Sequence, residues 1–89
     1  QLDPNSPNAL LSLAITYHII RDLEKEKPII LKLLKLTPEN PQVLRLGVQV
    51  AGILKDKEMS NQVLSLMTKH NKEALPLAKK FIDNAFKTN

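Results

Sequence analysis

The sequence has no cysteine and no tryptophan, and its 89 residues include one tyrosine, two phenylalanines and two glycines. Without cysteine the chain has no disulfide framework and no thiolate metal site. No stretch approaches the roughly 20 consecutive apolar residues that a membrane-spanning helix needs. None of these absences indicates a cellular compartment. Hydrophobic residues make up 43% of the chain and are mainly aliphatic, so a small aliphatic core is expected.

The charge balance is basic, with 13 lysines and arginines against 9 acidic residues and a formal net charge of +4. Lysines gather between residues 25 and 35 and again at Lys79 and Lys80. Two interpretations are open. The lysines form a patch that binds nucleic acid or an anionic surface, or they form the solvated outer face of helices. The solvated face is favoured, and nucleic acid is a disfavoured partner, because aromatic residues are few and arginines are not clustered.

Two similar proline-bounded segments, Pro4–Pro7 and Pro38–Pro41, lie about 34 residues apart. The first proline of each segment ends a preceding helix, because a residue before proline is disfavoured in the α region. The second proline follows Ser6 or Asn40, which supplies an N-cap acceptor, and proline suits the first helical position. Each segment therefore predicts the end of one helix, a turn and the start of another.

Between these segments, apolar residues recur at intervals of three and four, the spacing of one helix face. Asp22 and Asp56 stand where a first helix ends and a second begins, and each is suited to cap the second. Pro28 falls inside the second predicted helix, so we expect the regular helix to begin at Lys27 or Pro28 after a loose lead-in. Five helices are predicted, near 7–20, 24–36, 41–54, 57–70 and 75–87.

These features resemble the tetratricopeptide repeat (TPR) family, which stacks antiparallel helix pairs with a period of about 34 residues. The first repeat matches the family pattern at Leu10, Leu13, Ala14, Tyr17, Ile30 and Leu33 and closes with Leu36-Thr37-Pro38. The second repeat matches less fully, at Leu44, Gly47, Val48, Ala51, Asp56, Ser60, Leu64 and Met67. Arg21 and Lys55 stand where the family usually has glycine, and Glu26 stands where it has a small alanine.

The resemblance implies an all-α fold, a right-handed superhelix of antiparallel helix pairs. The first repeat would span 7–40, the second 41–74, and a partial third repeat or capping helix 75–89. Leu2-Asp3-Pro4 is similar to the tail of a preceding repeat, so we expect the single domain to be excised from a longer protein. The resemblance also implies a non-catalytic module for protein–protein interaction or assembly scaffolding.

No catalytic, cofactor or metal site is predicted. His18 and His70 are the only histidines and are far apart, and no carboxylate stands at ligand spacing. We interpret His18 as a groove-facing or partly buried polar residue in preference to a proton shuttle or metal ligand. Gly47 and Gly52 fall within the third predicted helix, where they favour close helix approach over phosphate binding.

The resemblance implies a concave groove, lined by the first helix of each repeat, that binds a partner. The predicted groove residues are Leu11, Ile15, His18, Ile19, Arg45, Leu46, Gln49 and Ile53. Most are apolar, so the expected partner is an apolar or amphipathic protein segment, and Ile15→Glu or Ile19→Glu is expected to abolish binding. Alternatively, these residues pack against a missing repeat, the C-terminal helix or a second copy. A second hypothesis is that the chain is a self-associating structural segment of a longer repeat array, which would form a homo-oligomer. The least favoured alternative is a basic accessory surface for nucleic acid.

Overall fold

The computed structural model describes residues 6–87, which form five α-helices, one 3-10 turn and no strand. The prediction of an all-α chain is confirmed, and each helix lies within one residue of its predicted bounds. The predicted repeat tail at Leu2-Asp3-Pro4 lies outside the described residues. The elements are α1 (Pro7–Ile19), α2 (Leu23–Leu36), α3 (Pro41–Ile53), α4 (Lys57–His70), the 3-10 turn (Lys72–Ala74) and α5 (Leu75–Lys87).

The first four helices begin at the side-chain caps that the sequence predicts. The side chains of Ser6, Asp22, Asn40 and Asp56 each accept a hydrogen bond from a backbone N–H in the first turn of the helix that follows. The donor–acceptor distances run from 2.9 to 3.4 Å. Each cap satisfies one amide that has no partner within its own helix, so these local signals fix where the helices start.

Proline 28 lies inside α2, which is one helix throughout Leu23–Leu36. The prediction that the regular helix begins at Lys27 or Pro28 is therefore wrong. Asp22 caps the helix upstream of the proline, and Leu23 and Glu26 in the first turns are both buried. Because packing holds these turns in place, the helix tolerates the loss of the one backbone hydrogen bond that the Pro28 nitrogen cannot donate.

The turns from α1 to α2 and from α3 to α4 share one backbone conformation. Arg21 has φ 64° and Lys55 has φ 55°, both in the left-handed region. The aspartate after each of them donates its backbone N–H to the carbonyl five residues earlier, at 2.9 Å. This is the Schellman pattern that ends many helices, usually with glycine at the left-handed position. The two turns therefore carry the strain of a side chain at that position.

Short turns make successive helices antiparallel. α1 packs chiefly on α2, α2 also packs on α3, and α3 packs on both α4 and α5. Lys27 near the start of α2 pairs with Asp56 at the start of α4, so these two helices begin at the same edge of the molecule. The largest fully buried apolar side chains are Ile30, Leu33, Val43, Leu44, Val50 and Val63.

Two glycines allow α3 to approach its neighbours closely, as the sequence predicts. A Cβ added at Gly47 would lie 3.0 Å from a methyl group of Val63 on α4. A Cβ added at Gly52 would lie 2.6 Å from the ring of Phe81 and 3.3 Å from the Cβ of Ala85, both on α5. The contact at Gly52 holds the C-terminal halves of α3 and α5 together.

Candidate binding cleft

A cleft of about 660 Å³ lies between the N-terminal halves of α3 and α5, beside the end of α4. The two helices meet at Gly52 and Ala85 near their C-terminal ends, so the cleft forms where they diverge toward their N-terminal ends. The lining residues are Pro41, Gln42, Arg45, Val48, Gln49, Met67, Asn71, Ala74, Leu77, Ala78 and Phe81.

Apolar side chains on the walls of the cleft are exposed to solvent. Leu77 is 73% exposed and Phe81 is 38% exposed, while Val48 and Met67 behind them are buried. Burying an exposed leucine or phenylalanine side chain fully contributes about 1.5–3 kcal/mol of favourable free energy, so covering these two side chains with another molecule is favourable. The volume also falls within the range of roughly 300–1,000 Å³ that is usual for ligand pockets. The cleft therefore has the size and chemistry to accept apolar side chains.

Few polar groups border this apolar surface. Arg45 is the one charged residue of the lining, it is exposed, and it makes no ion pair within residues 6–87. The side-chain amides of Gln42, Gln49 and Asn71 stand beside it. The lining residues include no histidine and no carboxylate.

The structure distributes the predicted groove residues over several places. Arg45 and Gln49 line the cleft. Leu11 and Ile15 are half-buried and pack against the core, and Leu46 is itself buried. Because Ile15 takes part in the core packing, Ile15→Glu perturbs folding as well as any binding surface.

The other predicted groove residues lie toward the C-terminal ends of α1 and α3. Ile19 is 73% exposed and Ile53 is 45% exposed, and neither lines the cleft. His18 is half-buried and points to Glu26 on α2. The groove predicted along α1 and α3 stays a prediction, and the cleft between α3 and α5 is a separate feature that shares Arg45 and Gln49 with it.

The residues that sequence reasoning missed belong to α4 and α5. Met67 comes from the last turn of α4, Asn71 caps the C-terminal end of that helix, and Leu77 and Phe81 come from α5. The helical spacing of residues 77, 78 and 81 is visible in the sequence, but it predicts an apolar face without showing whether that face is covered.

A buried carboxyl group joins α1 to α2. Glu26 is 0% exposed, and its Oε1 lies 3.1 Å from Nδ1 of His18, while its Oε2 has no hydrogen-bond partner among residues 6–87. Burial raises the pKa of the Glu26 carboxyl above its ordinary value, and the hydrogen bond with His18 opposes this rise. This carboxyl group reaches His18 because residues on successive antiparallel helices meet across the turn. Gly52 and Ser60 occupy the equivalent positions of the predicted second repeat.

No group of three metal-ligating side chains occurs within residues 6–87, and no helix in this part of the chain has the length and apolar character needed to cross a membrane. No family model matches the sequence, and comparisons with curated proteins and with solved structures gave no match. The resemblance to TPR proteins therefore stays a prediction.

Proposed function

We propose that this chain is a non-catalytic protein-interaction module that binds an apolar or amphipathic segment of a partner in the cleft between α3 and α5. The observation that carries the proposal is the exposure of Leu77 and Phe81 on the walls of a cleft of about 660 Å³. Apolar anchors that enter such a cleft provide most of the free energy of a small interface. A partner helix with apolar residues at positions three and four apart fits this arrangement.

The polar groups at the rim orient the partner in this proposal. Arg45 pairs with an acidic side chain of the segment, and Gln42, Gln49 and Asn71 bond to its polar groups. An exposed ion pair contributes little affinity, about 0–1 kcal/mol, but a mismatched charge opposes binding. The apolar anchors therefore determine the affinity, and Arg45 determines the preference for segments that carry an acidic side chain.

The finer architecture of this proposal is a right-handed, TPR-like superhelix within a single domain. Matching left-handed turns at Arg21 and Lys55 support it, as do matching caps at Asp22 and Asp56. In that arrangement α1 and α2 form the first repeat, α3 and α4 form the second, and α5 begins a partial third repeat or acts as a cap.

The test is a selection of amphipathic helical peptides on the 89-residue chain from a display library, followed by affinity measurement with two variants. Leu77→Asp is expected to weaken binding of the selected peptides about tenfold or more, because it places a charge on the apolar wall. Ile19→Asp is the matched control, since Ile19 is also 73% exposed but lies outside the cleft. Equal binding by both variants, with unchanged far-UV circular dichroism, would refute the proposal.

A further inference from the structure

The carboxyl group of Glu26 lies at the interface between α1 and α2 and is incompletely hydrogen-bonded there. Its Oε1 lies 3.1 Å from Nδ1 of His18 on α1, while Oε2 has no partner among residues 6–87, although the side chain is 0% exposed. A buried polar atom without a partner is uncommon in folded proteins. Neither residue lines the cleft, so the proposed function gives this pair no role.

His18 is the charged partner that faces Glu26 from the helices packed on α2. Those helices are α1 and α3, whose other ionisable side chains are Tyr17 on α1 and the exposed Arg45 on α3. The remaining charged residues of α2 are all at least partly exposed, and they are Glu24, Lys25, Lys27, Lys32 and Lys35. Burial raises the pKa of the Glu26 carboxyl, and of these groups His18 opposes the rise.

The protonation state of Glu26 determines how well the interface is satisfied. In the neutral carboxyl, the Oε1 hydroxyl donates to Nδ1 of His18 and the carboxyl buries no charge. Loss of that proton leaves a carboxylate that accepts one hydrogen bond, from Nδ1–H to Oε1, while Oε2 still has no donor. A buried charged group with too few hydrogen bonds costs more than a neutral one. Ionisation therefore favours any motion that admits water to Glu26.

α1 is the helix that can admit this water. It packs chiefly on α2, whereas α3 packs on α2, α4 and α5. Elements with few packed neighbours open locally at a lower cost than unfolding of the whole chain. The turn after α1 also holds Arg21 in the left-handed conformation at φ 64°, and movement of α1 relieves that strain. Local opening of α1 therefore exposes Glu26 while α3, α4 and α5 stay packed on one another.

We propose that Glu26 and His18 form a pH-dependent switch that keeps α1 docked on α2 when Glu26 is protonated and lets α1 open locally when Glu26 is ionised. Opening uncovers Leu10 and Ala14, which form the buried face of α1. The docked state binds the proton more tightly than the open state, so the open fraction rises with pH above the ordinary value of 4.5. The switch assigns the effect of Glu26 to the α1–α2 interface rather than to the whole chain.

The absence of cysteine from the sequence allows thiol labelling to test the switch. Ala14→Cys places a thiol on the buried face of α1, and Ala51→Cys is the matched control on α3, since both alanines are 0% exposed. Labelling rates are measured from pH 4.5 to about pH 8. Each rate is divided by the rate of the same variant in urea at the same pH, because the thiolate fraction itself rises with pH.

The relative labelling rate of Ala14→Cys is expected to rise about tenfold over this range, and that of Ala51→Cys is expected to stay constant. Ala14→Cys combined with Glu26→Gln is expected to show no rise, because glutamine does not titrate. The proposal is overturned if Ala14→Cys shows no rise or if the rise persists with Glu26→Gln. An equal rise at Ala51→Cys also overturns it, because the whole chain would then be unfolding.

Tyr17 provides a second measurement that needs no substitution. It is the one tyrosine of a chain without tryptophan, and it lies on α1 next to His18. Quenching of its fluorescence by acrylamide is expected to increase with pH in the unaltered chain and to stay constant in Glu26→Gln. Far-UV circular dichroism checks that each variant is folded. Where a variant does not fold, constant quenching of Tyr17 in the unaltered chain overturns the proposal by itself.

Discussion

The buried pair of Glu26 and His18 predicts how the stability of this chain depends on pH. The Glu26 carboxyl has a raised pKa because it is buried. At a pH between the ordinary value of 4.5 and this raised value, the unfolded chain releases the proton while the folded chain keeps it. The folded chain then binds more protons, so the free energy of unfolding falls as pH rises through this window. Glu26 therefore stabilises the fold most at acidic pH.

The magnitude follows from the hydrogen bonds of the carboxylate. Oε1 has one partner, His18, and Oε2 has none although the side chain is 0% exposed. A buried polar group without a partner costs about 1–3 kcal/mol, and more when it is charged. We therefore expect the contribution of Glu26 to fall by about 1–3 kcal/mol between pH 4.5 and neutral pH.

Two substitutions at this pair separate its effect from other titrations. Glu26→Gln keeps the shape of the side chain but removes the charge, so the fall in stability attributable to this site is expected to disappear. His18→Ala removes the hydrogen-bond partner that the Glu26 carboxyl has within residues 6–87 and is expected to steepen the fall in the free energy of unfolding. The pKa of Asp56 is lowered, first of all by its hydrogen bond with Lys27, so its contribution to the free energy of unfolding is lost as pH falls below about 4. Measurements from pH 4.5 upward avoid this effect.

The assay is urea unfolding followed by far-UV circular dichroism at several pH values, because urea is uncharged and does not screen the pair. The free energy of unfolding is compared between the unaltered chain, both single variants and the double variant. The double variant is expected to follow Glu26→Gln, since His18 acts through Glu26. Equal pH dependence of the unaltered chain and Glu26→Gln, or a shallower dependence in His18→Ala, would refute the reasoning.

Two further predictions concern backbone conformation and packing, and urea unfolding also tests them. Lys55→Gly is expected to raise the free energy of unfolding by about 0.5–1 kcal/mol, because glycine relieves the left-handed conformation at φ 55° and loses part of that gain to a more flexible unfolded chain. An unchanged or lower value contradicts this explanation of the turn. Gly47→Ala is expected to lower the free energy of unfolding by about 1 kcal/mol, since overpacking against the fully buried Val63 outweighs the gain in helix propensity. A more stable variant would show that Val63 moves aside easily.

The sequence predicts the helices well because their boundaries depend on local chemistry. Each helix start is capped by a side chain within one turn of it, from Ser6, Asp22, Asn40 or Asp56. The residues that predict the helix starts are therefore the ones that form the caps. Pro28 is the exception, because burial of the preceding turn overrides a local rule. Local signals therefore fail where tertiary packing supplies the larger free energy.

The cleft and the buried pair depend on contacts between helices and were not predictable in the same way. The shape of the cleft follows from where Phe81 packs over Gly52, which the spacing of apolar residues does not specify. Glu26 and His18 are 8 residues apart, a separation that brings two side chains together only after the turn between α1 and α2 is known. The sequence therefore predicts candidate faces, and the structure shows which of them remain open.

The order of helix contacts has a consequence for local unfolding. Each helix packs mainly on helices one or two places away in the chain, so the contact order is low and folding is expected within milliseconds. α3 contacts α2, α4 and α5, whereas α1 packs chiefly on α2. Amide hydrogens of α1 should therefore exchange with solvent before those of α3. Transient opening of α1 would leave the cleft between α3 and α5 intact.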